Sequence, residues 1–225
     1  MPETWAHRAD LAESAITERH AQKLWMLPKT NMAVVAWPPG LKDKLFWHWH
    51  YWWQAQYLDC QVDAAMRRPT KTRRRRILQT MHTIQGRSRG RLTRNIYYDD
   101  KAWLALAWAR AGQLPKNNGK VSSKRSKVLE DLEFDLLSGI DPVVGVLPWR
   151  TGETFYNIPS NATAAMVFAR TGRLDKAREI VDWIFDNLVR EDGLLSDGVR
   201  MRMSGPEGVD KNFNLKSGTV RGARL

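Results

Sequence analysis

A single cysteine, Cys60, in 225 residues rules out an internal disulfide, so packing alone must hold the fold. The opening stretch "MPETWAHRADLAESAITERH" has no basic leader followed by an apolar run, and no later run approaches membrane-spanning length. These absences give the expectation of a soluble, cytoplasmic chain with no membrane contact. There is no HExxH, and His48 and His50, two apart on a helix, face different sides of it. Neither a metal site nor a cofactor is expected. A G-x-S-x-G elbow and the Walker and Rossmann glycine loops are also missing, so Ser-His-Asp catalysis and nucleotide binding have no signature.

Hydrophobic residues make up 43% of the chain, enough for a core, and the length favours one domain over residues 1–225. Lys and Arg number 36 against 24 acidic residues, a surplus that would suit an anionic partner. The densest basic run, "TKTRRRR", sits at a helix start. Four consecutive arginines spread around a helix at about 100° per residue, which reads as a solvated helix end. No zinc-finger, helix-turn-helix or aromatic RNA-binding motif accompanies them, so nucleic acid is not an expected partner. Eleven tryptophans are more than a core of this size needs. They offer flat faces for sugars or bases as well as packing.

The pattern is helix after helix. "ETWAHRADLAESAITERHAQKLW" reads as a helix stopped by Pro28, and "KLFWHWHYWWQAQYLDCQVDAAMRR" as a second, apolar almost all round. "TKTRRRRILQTMHTIQGR" and "YYDDKAWLALAWARAG" follow, the latter closed by Gly112. Beyond a polar loop over 113–126 come "KRSKVLEDLEFDLLSGI", a long irregular segment from Asp141, "SNATAAMVFARTG" with Ser160 or Asn161 as N-cap, and "RLDKAREIVDWIFDNLVRED". "GLLSDGVRM" reads as a short strand with a turn. The phrases "WARAGQL" and "FARTGRL" form a faint repeat that suggests stacked helical hairpins.

Two features point to chemistry. Gln54, Gln56 and Asp59 lie on the aromatic second helix and need partners for their polar atoms, which a wet pocket or a satisfied core would both supply. Asp99 and Asp100 stand side by side at a helix start. Capping explains them, since Asp is favoured in a first turn. A pair of carboxylates for glycoside hydrolysis explains them as well, because neighbouring acids in an aromatic setting titrate apart, one ionised and one protonated.

"YYDDKAWLALA" resembles the signature of glycoside hydrolase family 76, the endo-α-1,6-mannanases. "YWWQAQYLD" and "GVLPWRTGETFYNIPSNATAAMVFAR" resemble further family segments in the same order. The resemblance runs from about Trp5 to Ala223 and implies an all-α, (α/α)6 toroid of helical hairpins. About seven helices are legible, which makes an incomplete toroid, and "FNLKSGTVRGARL" matches the family poorly. It further implies retaining hydrolysis or transglycosylation of α-1,6-linked mannose backbones, with Asp99 as nucleophile and Asp100 as acid/base. Trp149, Arg150, Asn157 and Asn161 would contribute to the sugar site, in a cleft also lined by Trp53, Tyr97 and Tyr98. The expected partner is mannan or a manno-oligosaccharide, a substrate class met outside the cytoplasm. Unburied helix faces would favour self-association. A decayed relative that binds mannan without turnover is the alternative.

Overall fold

The structure, a computed structural model, describes residues 2–114 and 123–201. Residues 115–122 of the expected polar loop and the stretch 213–225 lie outside the described residues. Eight α-helices are present among those described: α1 Pro2–His20, α2 Leu41–Lys44, α3 Tyr51–Arg67, α4 Lys71–Arg87, α5 Tyr98–Gly112, α6 Ser123–Ser138, α7 Ile158–Arg170 and α8 Leu174–Leu188. Four short strands, β1 Ala21–Gln22, β2 Met32–Ala33, β3 Phe155–Asn157 and β4 Gly198–Arg200, form two antiparallel pairs, β1 with β2 and β3 with β4. The all-α expectation therefore holds. None of the described helices is long and apolar enough to cross a membrane.

The chain divides into two compact units, Met1–Arg94 with Trp103–Glu130 and Asn95–Ala102 with Asp131–Leu225. In the first, α3 packs on α1 and α4 around Leu58, Val62, Ile77, Met81 and Ile84, all nearly inaccessible. Two helix boundaries differ from the sequence reading. α1 ends at His20, well before Pro28, because Ala21 and Gln22 pair with Ala33 and Met32 and the His20 ring hydrogen-bonds the Val34 carbonyl at 2.8 Å. α3 starts only at Tyr51, because Phe46 takes a left-handed φ of 50° and sinks into a small cluster with Leu24, Met32 and Val34. Tertiary pairing overrides helical periodicity at both places.

Two of the polar side chains of α3 are satisfied by protein, whereas the buried Gln61 Nε2 has no protein partner. Gln54 accepts from the Ala33 amide at 3.0 Å and donates to its carbonyl at 2.7 Å, and Asp59 pairs with Arg110 at 2.5 Å. A cavity of about 320 Å³ does open between α1, α3 and α4, but it is lined by Tyr57, Cys60, Gln61 and Ala64 from α3 and not by Trp53. The arginine run is only partly a solvated helix end. Arg75 is exposed, whereas Arg73 is buried at 8% exposure, pairs with Glu13 and Asp10, and donates to the Arg68 carbonyl at 2.7 Å. Thr70 caps α4 by accepting from the Arg73 amide.

In the second unit α7 and α8 form a packed hairpin. α8 buries Ala177, Ile180, Ile184 and Leu188, at the 3–4 spacing of an amphipathic helix. Leu174, Val181 and Phe185 stay exposed beside that face. The faint repeat has a structural counterpart: Trp108 and Phe168, its first residues, are both core, at 2% and 0% exposure.

Candidate active site

The site is built within the second unit by a short clamp of backbone. The Asn95 side-chain oxygen accepts the Tyr97 amide at 3.0 Å, an Asx turn that fixes the approach to α5. Tyr97 then pairs with Arg150 as an isolated antiparallel bridge. The Tyr98 amide donates to the Trp149 carbonyl at 3.0 Å, and the Thr151 amide to that of Ile96 at 2.9 Å. Segment 96–98 is thereby pinned to 149–151, and α5 begins at once with Asp99 and Asp100 in its first turn.

Both carboxyls are half-buried, and each has its own donor. Asp99 accepts the Asp100 amide at 2.8 Å and the Trp149 indole N–H at 3.1 Å. Asp100 accepts the Asn95 amide nitrogen at 2.6 Å. Burial raises the Asp99 carboxyl above its usual range, against the Asp100 amide and the Trp149 indole, which lower it. Burial likewise pushes Asp100 up to about 6, against the pull of Asn95, and the charge of Asp99 adds to the rise. Asp99 does satisfy one free first-turn amide, as a capping residue would. The donor that holds Asp100 is a side-chain amide, not the helix backbone.

The remaining expected site residues separate into two groups. Tyr97, Trp149 and Arg150 gather beside the pair. Tyr97 and Trp149 meet at a tilt of 57° with ring centroids 5.1 Å apart, Phe155 meets Trp149 edge-on at 6.3 Å, and the Arg150 guanidinium lies 5.8 Å from the Trp149 ring centre. Arg150 is anchored by Glu153 at 2.8 Å.

Tyr98, Asn157 and Asn161 are buried within the unit, with partners of their own. The Tyr98 ring is buried and so close to Gly139 that a Cβ there would lie 2.2 Å from it. Asn157 is the N-cap of α7, accepting from the Ser160 amide at 3.3 Å; the cap falls earlier than Ser160 or Asn161 because Pro159 sits in the first turn. Asn161 has no exposure. It accepts the Leu147 amide and donates to the Leu147 carbonyl, both at 2.8 Å, and donates to Asn157 at 2.9 Å. With every polar atom used, it splints the segment that carries Trp149. Trp53 belongs to the other unit, where it is half-exposed and stacks on Trp52 at 4.5 Å.

Two features escaped the sequence reading. Asn95 is one, and its signal was an Asn two residues ahead of a tyrosine pair. The other is Lys101, directly after the aspartates: it is buried at 2% exposure, bound to Asp135 at 2.5 Å, and 3.9 Å from the Tyr98 ring centre. Burial lowers its pKa and Asp135 opposes that. Among the described residues no group of three His, Cys, Asp or Glu side chains could hold a metal ion.

No protein-family model and no curated protein matches the sequence. Solved structures do. The α-1,6-mannanase GH76A of Salegentibacter sp. HEL1_6 superposes with a TM-score of 0.71 at 20% identity, over 88% of this chain and 56% of that one. The chain shares its fold. An inactive variant of that mannanase, with two consecutive aspartates changed to asparagine, in complex with α-1,6-mannotriose, gives a TM-score of 0.69 at 19% identity with the same coverage. The Lin0763 protein of Listeria innocua gives 0.72 at 23% identity, covering 87% of this chain and 56% of its own. The protein thus has the all-α fold of these neighbours and spans 56% of the length of each.

Proposed function

We propose that this chain is a retaining glycosidase acting on α-1,6-linked mannose backbones, with Asp99 as nucleophile and Asp100 as acid/base. The carrying observation is the asymmetry of the pair. Asp99 has two donors that favour its ionised form, while Asp100 has one and is pushed up to about 6. Adjacent carboxyls whose surroundings push their titrations apart divide the roles of base and acid between them. In the first step protonated Asp100 gives its proton to the glycosidic oxygen as Asp99 attacks the anomeric carbon, forming a glycosyl ester and releasing the leaving sugar. In the second, Asp100 takes a proton from water, whose oxygen displaces Asp99 and restores both carboxyls. A sugar hydroxyl in place of water gives transglycosylation.

The mannose preference is supported by the shared fold and by the mannanase neighbour that loses activity when two consecutive aspartates are replaced. The tilted Tyr97 and Trp149 rings supply the apolar face that a neutral sugar needs. The test is incubation of the purified chain with linear α-1,6-mannan. Manno-oligosaccharides should appear. Folded protein that yields none would end the glycosidase reading, and oligosaccharide binding without turnover would put the mannan-binding alternative in its place.

A further inference from the structure

We propose that Asn95 is a positioning residue for Asp100: its amide, oriented by the Tyr97 N–H, occupies Asp100 Oδ2 and leaves Oδ1 as the oxygen that carries the transferable proton. The inference rests on the acid/base reading of Asp100 and adds the group that governs it.

The geometry leaves Asn95 one orientation. Its Oδ1 accepts the Tyr97 backbone amide at 3.0 Å, and a backbone N–H can only donate. The Nδ2 group must then be the one turned to Asp100, where it sits 2.6 Å from Oδ2. A proton on Asp100 Oδ2 would point at another donor, so the neutral acid holds its proton on Oδ1. When Asp100 ionises, the same amide stabilises the charge. Asn95 therefore pulls against burial, and keeps the carboxyl within a range where it can both give and recover a proton near neutrality.

Other charges around Asp100 are few and already engaged. Asp99, on its own helix, is the charged group that acts on it. The Lys101 ammonium is bound to Asp135 and the Arg150 guanidinium to Glu153. The Asn95 contact is thus the main local opponent of burial.

The test uses two variants of the full chain. Asn95→Asp and Asn95→Ser both keep an oxygen that can accept the Tyr97 amide, and so preserve the turn, but both remove the Nδ2 group that reaches Asp100 Oδ2, and a serine hydroxyl engaged by the Tyr97 amide sits on a side chain one atom shorter. Carboxyl carbon NMR of the wild type and both variants, with Asp100→Asn to assign the signal, follows Asp100 directly. Its titration should move up by about one pH unit in both variants, the worth of one hydrogen bond to a charged group. The alkaline limb of mannan hydrolysis should move up with it. An unmoved Asp100 titration in either folded variant overturns the proposal; movement in Asn95→Asp alone would be the effect of the added charge. A titration that moves in the variants, with a wild type that hydrolyses no mannoside, would end the glycosidase reading and leave the Asn95 coupling standing.

Discussion

Replacing Asp100 with asparagine should make the protein more stable at pH 8, not less. Burial sets the sign: the Asp100 carboxyl is pushed from 3.8 up to about 6 in the folded state. A group whose folded pKa is raised contributes stability that is fully present below its unfolded value and is lost as pH rises through the folded one. Each pH unit between the two values is worth about 1.4 kcal/mol. The gap would give about 3 kcal/mol for a fully enclosed group, and about 1–3 kcal/mol once partial solvent screening is allowed. Asparagine has the same shape and no charge, so Asp100→Asn recovers that amount at pH 8 and almost nothing at pH 4. For a chain of this size the melting temperature should rise by roughly 2–10 °C at pH 8. A residue that merely capped the helix would behave oppositely, since loss of a favourable charge at the positive helix end costs about 0.3–1 kcal/mol. The assay is a pair of thermal melts, wild type and variant, at pH 4 and pH 8. A variant that melts lower than wild type at pH 8 would mean that the Asp100 charge stabilises the fold. The expected gain in stability from disabling a functional group is the usual trade at active sites.

Trp149→Phe keeps the ring on Tyr97 but removes the indole donor from Asp99; the acid limb of the pH–rate profile should move to higher pH and the rate fall about tenfold, whereas an unchanged profile would detach Trp149 from Asp99. Asn161→Ala leaves the Leu147 amide and carbonyl unpaired in the core and should cost about 2–4 kcal/mol in urea unfolding; a neutral effect would count against that splint. Gly139→Ala places a Cβ against the Tyr98 ring and should destabilise by about 1–3 kcal/mol through overpacking, with a wild-type melt counting against that contact.

Periodicity made most of the helices legible, α4, α5 and α8 above all, because their apolar positions repeat at the helical spacing. It misplaced the end of α1 and the start of α3, where the β1–β2 pairing and the left-handed Phe46 decide the boundary and neither leaves a local mark. The aspartate pair was legible as a motif, and its environment was not, since burial and the Asn95 and Trp149 donors come from residues up to fifty positions away. Asn157 and Asn161 were legible as polar residues near the site, but their backbone bonds were not. A polar residue at a helix start looks the same whether it binds a ligand or a backbone, and here both side chains are spent on backbone.

In the proposed reaction Asp99 forms a covalent bond to the sugar and Asp100 serves it as acid and base. Intact-protein mass spectrometry of Asp100→Asn treated with an activated mannoside tests this most directly. A good leaving group needs no proton, so Asp99 should still be glycosylated. Without a base to activate water the adduct should then persist, and azide should partly release it. The expected result is a mass increase of one mannosyl group, located on Asp99 by peptide mapping. An unmodified Asp100→Asn that turns over mannoside as fast as wild type would contradict it.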